Sequence, residues 1–434
     1  MARTTRLPKG HSGSETQIVS TAGTIFGDGT AVELVGGTGD KPRLLSWNGR
    51  KSTIAAQVER EGKIYQPVDL HPSIWKATRL PNSVADYGKG SDLFTETREL
   101  LETHLGFSAA EAALATGWIC TCWFADFLSS PPTLFVYGSD MGLAITLFQL
   151  LSCICRHPLL LAELNRASLC ALMALRPTWL INQPGMTSRL LDFCGDSNYR
   201  GVLVPGTRGD VLDLVSSKSI FMGANSAAHS WCEHSLHLAL PPARRGLPPL
   251  DEARQVQIAD HFQPRFLLYR LHHLQQVRQS RSNGNGSAQP MSDLAGTLQT
   301  CSPNGNQVES LWLPLLQAQE RDALAQRCWD PGSAMIEVLL SLRHASESET
   351  AMKELAALTN ALLRSRGENR EYSEEELGKR LQKLGVHRHR KNIGMVIVFD
   401  RANSCRVHQL ARSFSVGKSV TGCPDCEEAQ VAKE

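Results

Sequence analysis

The chain has 434 residues, 42% apolar and 20% charged, with 45 basic side chains against 43 acidic ones. That length exceeds one ordinary core and predicts two or three domains. A net charge of +2 excludes a globally basic or acidic binding surface, so any nucleic-acid contact has to be local. Several of the twelve cysteines (Cys120, Cys122, Cys153, Cys155, Cys170) lie within apolar runs, which fits a reducing cytoplasm better than a secreted disulfide frame. The first residues have no apolar core, so no signal peptide is expected. The longest apolar run, 141–155, contains Gln149 and Ser152 and falls short of the roughly 18–20 residues that span a bilayer. No membrane contact is expected.

Residues 1–16 are polar, rich in Gly, Ser and Thr, and read as a disordered tail. A small β-rich module is expected over 17–90. Strands at Thr24–Phe26 and Ala31–Val35 flank Gly27-Asp-Gly-Thr30, a hairpin signal, and Leu44–Trp47, Ile54–Glu59 and Ile64–Val68 continue the pattern. Gly36–Lys41 imitates a phosphate loop but leads into Pro42 and another strand, so it reads as a turn. An α/β core is expected over 91–282. Helices from Ser91 and over Ser108–Phe127 precede strands at 133–137, 158–161, 178–181, 201–204, 211–221 and 234–240. Helices over 141–155, 166–175 and 187–194 alternate with the first of these, which predicts a largely parallel sheet covered on both faces. A helix over 251–281 carries His272-His273, which reads as surface rather than as a metal site. A loop and helical connector fills 283–330. Helices at 334–343, 350–364 and 373–384 follow, the last opened by the capping box Ser373-Glu-Glu-Glu376. A basic turn and the strand 395–399 complete the order of a winged helix-turn-helix over 331–415. A tail over 416–434 ends the chain.

The stretch Thr133–Ile154 reads as strand, glycine turn and apolar helix, the frame in which a P-loop holds phosphates. Its chemistry is missing. Gly138 and Gly142 are separated by three residues, and Leu143 and Ala144 stand where Lys and Ser/Thr belong. No lysine occurs between Lys89 and Lys218, which leaves Lys218 as the one candidate for a replacement phosphate contact. The strand 178–181 ends in Asn182-Gln183, amides where magnesium-binding and water-orienting acids would be needed. The nucleotide-site residues of a degenerate core are therefore Gly138, Gly142, Asn182 and Gln183, and no catalytic residue is expected. The plain alternative is an unrelated α/β domain whose turn contains two glycines.

From about Thr24 to Phe414 the order of features resembles the primase-associated, helicase-like P-loop ATPases of phage and bacterial mobile elements, relatives of superfamily 3 and AAA+ proteins. The segments that carry the resemblance are Phe124–Leu128 before Pro131–Gly138, then Arg156–Leu161, Leu175–Ile181, Ser217–Gly223 and His234–Pro242. It implies a degenerate P-loop (AAA+-like) α/β core between the β-rich module and the winged helix, and a replication context. Active relatives begin the last segment with an Asp-Arg pair, where this chain has Glu233-His234. Hydrolysis is therefore not implied.

Lys379, Arg380, Lys383, Arg388, Arg390 and Lys391 cluster in the later turns of the 373–384 helix and the turn after it, while Glu374, Glu375 and Glu376 occupy its first turn. That placement fits a recognition helix and wing on duplex DNA; a solvated face or a protein-docking module is the plainer reading. Cys423-Pro-Asp-Cys426 is half of a zinc site or a redox pair, with Cys405 and His408 the nearest further ligands. No other cofactor is expected. Gly417-Lys-Ser419 mimics a P-loop ending but has Arg412 where the first glycine belongs. Together these features predict a cytoplasmic, nucleic-acid-associated accessory protein that binds DNA and a partner of a replication complex without turning over nucleotide. Two alternatives remain open: an active replication-helicase ATPase with unorthodox phosphate contacts, and a DNA-binding regulator whose core senses a ligand.

Overall fold

The computed structural model describes residues 17–37, 41–196, 198–205, 211–223, 235–242, 246–282, 290–303, 309–319, 331–392, 394–414, 416, 423 and 426. The tail 1–16, part of the Gly36–Lys41 turn, Glu233-His234, the loop 283–289, residues 320–330 and Gly417-Lys-Ser419 lie outside the described residues. The protein is mixed α/β with several sheets, one of them parallel, and divides into two compact units, Met1–Leu316 and Gln317–Glu434. No helix among the described residues is long and apolar enough to cross a membrane.

The first unit opens with seven short strands: β1 (Gln17–Thr21), β2 (Gly23–Ile25), β3 (Ala31–Val35), β4 (Arg43–Trp47), β5 (Ser52–Ala55), β6 (Val58–Arg60) and β7 (Lys63–Pro67). β2-β3-β4-β5 is an antiparallel sheet, and β1 pairs parallel with β7, which pairs with β6. The Asp28 carboxylate accepts from the Thr30 N–H at 2.9 Å and tightens the β2–β3 turn. Successive side chains of a strand face opposite ways, and β3 is buried on both faces. Ala31 and Val35 join one apolar cluster with Leu134 and Val136; Val32 and Leu34 join another with Phe135 and Ile181. The opening strands therefore share both cores with the α/β part of the unit.

Three helices follow, α1 (Pro72–Ala77), α2 (Gly90–Leu105) and α3 (Ala109–Cys122), the last opened by a Ser108–Glu111 capping box. Then come β8 (Thr133–Tyr137), α4 (Met141–Ile154), β9 (Pro158–Leu161), α5 (Arg166–Leu172), β10 (Thr178–Ile181), α6 (Ser188–Asp196), β11 (Leu203–Pro205), β12 (Val211–Asp213), β13 (Lys218–Phe221) and β14 (Ser235–Ala239). Helices α7 (Glu252–Ser282), α8 (Pro290–Cys301) and α9 (309–319) close the described part of the region. Five strands form a wholly parallel sheet in the order β14-β8-β13-β10-β9. The run 211–221, expected as one strand, is two. The Asp213 carboxylate accepts from the Val215 N–H at 3.1 Å and turns the chain, so β12 pairs with β11 while β13 enters the parallel sheet.

Four charges are buried together in this unit. Glu33 of β3, Asp126 after α3, Arg156 after α4 and Arg270 of α7 each expose 6% or less of their side chains. Arg270 reaches Glu33 and Asp126 at 2.7 Å each, and Arg156 reaches Glu33 at 2.9 Å. Arg270 also donates to the Trp123 carbonyl. Burial pushes the Asp126 carboxyl up, but Arg270 and Arg156 more than reverse this and hold it well below the usual range.

The second unit runs α10 (Pro331–His344), β15 (Glu349–Ala351), α11 (Met352–Ser365), α12 (Glu374–Lys383), β16 (His389–Lys391), β17 (Gly394–Val398) and α13 (Arg401–Ser413). Its sheet is antiparallel, ordered β15-β17-β16. The helix expected from Thr350 begins at Met352, because Glu349–Ala351 pair with β17. The Ser373 hydroxyl and Glu376 carboxylate form the capping box that starts α12. α13 was not expected; Asp400 caps it by accepting from the Asn403 N–H at 2.8 Å. Leu339, Leu355, Leu377, Leu381 and Val407 are fully buried in one core.

Replacing Arg270 by Met leaves Glu33 and Asp126 sharing Arg156, and is expected to cost about 3–5 kcal/mol in urea unfolding. Because the folded Asp126 carboxyl titrates below its unfolded range, its stabilisation is complete above about pH 4 and is lost as pH falls further. The R270M variant should lose much of that acid-side dependence.

Candidate functional site

In a parallel sheet, ligands bind beyond the carboxyl ends of the strands, where successive connections part to opposite sides. Here that place is the end of β8. The chain leaves β8 for β9 at the far edge of the sheet and later returns to its other side as β14. Gly138 and Gly142 lie at this end of β8, and Asn182 and Gln183 at the same end of β10, with β13 between them. The Gly138 N–H donates to the Gly223 carbonyl at 3.0 Å. A Cβ at Gly138 would stand 2.8 Å from the Leu240 Cβ, so the room a glycine opens is taken by leucine. Asp140 caps α4, its carboxylate accepting from the Leu143 N–H at 3.0 Å. A helix start carries unsatisfied N–H groups and about half a positive charge. At α4 the chain supplies the anion itself. Leu143 and Ala144 are buried in the core behind it.

The amides after β10 are engaged differently. Gln183 Oε1 accepts from the Leu164 N–H at 2.7 Å and holds the loop that follows β9. Asn182 donates its backbone N–H to the Leu161 carbonyl at 2.8 Å, while its buried side-chain oxygen accepts no hydrogen bond among the described residues. Lys218 cannot replace the missing lysine. It opens β13 opposite Thr133, roughly 16 Å along the strand from Gly138 at about 3.3 Å per residue. Its ammonium donates to Asn198 Oδ1 at 2.6 Å and the Ser216 carbonyl at 3.3 Å, and burial lowers its pKa to about 8.

Beside Gly138, the Tyr137 ring stacks on His237 of β14 with centroids 5.5 Å apart. His237 Nδ1 hydrogen-bonds the Tyr137 hydroxyl at 2.8 Å, and Nε2 the Ser235 hydroxyl at 2.9 Å. Burial lowers its pKa to about 3, so the ring is neutral and ties β14 to β8. Its place between Leu236 and Leu238 turns it to the opposite face of β14, where it also stacks on Phe135 with centroids 5.5 Å apart.

In the second unit the six basic residues have distinct settings. Lys379 pairs with Glu375 at 2.6 Å, Lys391 pairs with Glu349, and Arg380 lies 4.8 Å from the centroid of the Tyr372 ring. The Arg388 guanidinium lies against Gly378, where any Cβ would collide with it. Lys383 and Arg390 are exposed and form no ion pair among the described residues. Glu374, Glu375 and Glu376 are exposed on the first turn of α12.

The same unit gathers His344, His408, Cys423 and Cys426, whose ligand-capable atoms all lie within 4.8 Å of one another. Cys405, expected beside them, is exposed, and its sulfur takes a 3.6 Å contact from Gln409 Nε2 instead. His344 holds that place. It sits at the end of α10, 64 residues before His408, a separation that carries no spacing signal.

Asp140→Ala is expected to destabilise the protein by about 1 kcal/mol in denaturant unfolding, with Asp140→Asn within a few tenths of the parent. A second expectation concerns pH. The unfolded His237 titrates near pH 6.5 and the folded ring near 3, so its contribution is complete above about pH 6.5 and is lost as pH falls, by about 1.4 kcal/mol per unit. His237→Gln should flatten unfolding free energy between pH 6.5 and 4 as followed by urea titration.

No protein-family model matches the chain, and no curated protein matches it. Among solved structures the chain is similar to "The A form apo structure of NrS-1 C terminal region-CTR", over 85% of this chain and 96% of that one, at 10% identity and a TM-score of 0.36. At that score the likeness carries no argument about function.

Proposed function

We propose that the protein is an accessory DNA-binding factor of a replication assembly, working in a reducing cytoplasm. In this reading its α/β core keeps the frame of a helicase-like P-loop ATPase without turning over nucleotide. The strand order supports the first part. A strand, β13, stands between the strand that leads into the glycine turn and the strand that ends in Asn182-Gln183, and all three run parallel, so both sites lie at one end of the sheet. Asp140 at the α4 start and Leu240 against Gly138 support the loss of phosphate binding, since a phosphate there would meet a carboxylate and an apolar side chain.

The second unit supports a winged helix by its order of helix, strand, helix, helix and β-hairpin. The observation that carries the DNA reading is the charge along α12 and the hairpin. Three glutamates occupy the turn that a groove-reading helix inserts first, so they would face phosphates unfavourably. Contact therefore runs through the last turn of α12 and the β16–β17 hairpin. Lys383 and Arg390 are free to reach phosphates, with Arg388 beside them. Lys379, Arg380 and Lys391 contribute less, being already engaged. A duplex held this way is bound by its backbone, with little sequence preference. A protein partner from the replication complex would supply specificity.

Anisotropy titrations of the full chain with a labelled duplex at several salt concentrations test this. Affinity should fall steeply with salt, and changing Lys383, Arg388 and Arg390 together to Ala should flatten the logarithmic slope by about 2–3 units. Affinity that ignores salt, or a triple variant with an unchanged slope, removes the DNA reading. In the same preparation, magnesium-dependent ATP turnover should stay at background; turnover abolished by a bulky residue at Gly138 would restore the active-ATPase reading.

A further inference from the structure

We infer that His344, His408, Cys423 and Cys426 bind one zinc ion in a closed, structural site that pins the tail of the second unit to α10 and α13. The inference stands apart from DNA binding and rests on how the four side chains converge.

Three of the six separations are close to the edges of a tetrahedron, and all six lie within 4.8 Å. His344 Nε2 and His408 Nε2 lie 3.1 Å apart, Cys423 Sγ lies 3.3 Å from His408 Nε2, and Cys426 Sγ lies 3.4 Å from His344 Nε2. A tetrahedral ion with arms of about 2.0–2.3 Å has ligand-to-ligand edges of roughly 3.3–3.8 Å. The four atoms therefore surround a point that each can reach with little movement.

The protonation pattern points the same way. His408 Nδ1 lies 2.8 Å from the Ser404 carbonyl, which can only accept, so Nδ1 carries the hydrogen. In the neutral ring Nε2 then presents a lone pair to the cluster. A ring nitrogen held by a backbone carbonyl while the other faces the centre is the usual setting of a metal-ligating histidine. His344 Nε2 approaches that lone pair, and two sulfurs complete the set. Without an ion the two thiols can donate to the two imidazole nitrogens; with zinc bound both protons leave and the sulfurs bind as thiolates.

The donor set selects the metal. Two imidazoles and two thiolates in tetrahedral array suit zinc, whereas calcium and magnesium require oxygen ligands. Four protein ligands leave no open position for water, so the site is structural rather than catalytic. Its place in the fold explains its use. His344 ends α10, His408 lies in the middle of α13, and the Cys426 N–H donates to the Cys423 carbonyl at 3.0 Å. Val416, just after α13, is buried in the core of the unit.

The test is metal analysis of the purified full chain, paired with cobalt substitution. About one zinc per chain is expected. The cobalt form should show the intense visible bands of a tetrahedral ion and thiolate-to-cobalt charge transfer. His344→Ala, and Cys423→Ser with Cys426→Ser, should each lower metal content roughly tenfold or more. Cys405→Ser should leave it unchanged. His344→Cys supplies a fourth donor of another kind and should retain zinc, which keeps the test decisive where the alanine variant fails to fold. The inference is overturned by a reduced chain that takes up neither zinc nor cobalt, by an octahedral cobalt spectrum, or by full zinc in His344→Ala.

Discussion

The buried set of Glu33, Asp126, Arg156 and Arg270 is the constraint on which the first unit depends. Taking four charges out of water is expensive, and apolar residues of equal volume could pack as stably. What the charges add is position. β3 reads Ala31-Val-Glu-Leu-Val35 and is buried on both faces, so its apolar residues would fit the core equally well after a slip of one place. Such a slip turns every side chain to the other face. Beside the Asp28 turn, Glu33 distinguishes the two registers, because a slip would set Val32 or Leu34 against the guanidiniums and leave both arginines short of a partner. The set also waits on chain distant in sequence. It is complete only when β3, the exits of α3 and α4, and the middle of α7 have all arrived.

From that anchor the parallel sheet acquires its geometry. The exit of α3 precedes β8, and the exit of α4 precedes β9, so fixing Asp126 and Arg156 fixes two points from which strands are launched. The sheet sets the ends of β8, β13 and β10 side by side. His237 then joins β14 to β8 through Tyr137, one residue before the glycine turn. At the end of β8 the contacts come from β13 and β14 and the residues after them, through Gly223, His237 and Leu240.

Much of this was legible in the residues and some of it was not. Elements bounded by strong local chemistry were plain: Ser108-Ala-Ala-Glu111 and Ser373-Glu-Glu-Glu376 announce their helices, and Thr133–Tyr137 between proline and glycine announces its strand. The split at Asp213 was hidden, since one carboxylate turning back on a nearby N–H interrupts an apolar run without changing its composition. α13 was missed because Val407, Leu410 and Ala411 give it a narrow apolar stripe among polar residues, and Asp400 as a cap is a short signal. With that helix unseen, His408 had no face to stand on and His344 no reason to approach it. Asp140 as a helix cap and Leu240 against Gly138 were likewise invisible as occupants. The first is a local contact easily read as a turn residue, and the second arrives from another strand altogether.

The corner at the end of β8 has a consequence for how readily the protein could change its chemistry. A lysine introduced at 143 or 144 would have to leave the core, and would then find a helix start already neutralised by Asp140. Removing Asp140 would expose the N–H groups but leave Leu240 filling the space over Gly138. Each change is unfavourable or useless alone, and only several made together could admit an anion.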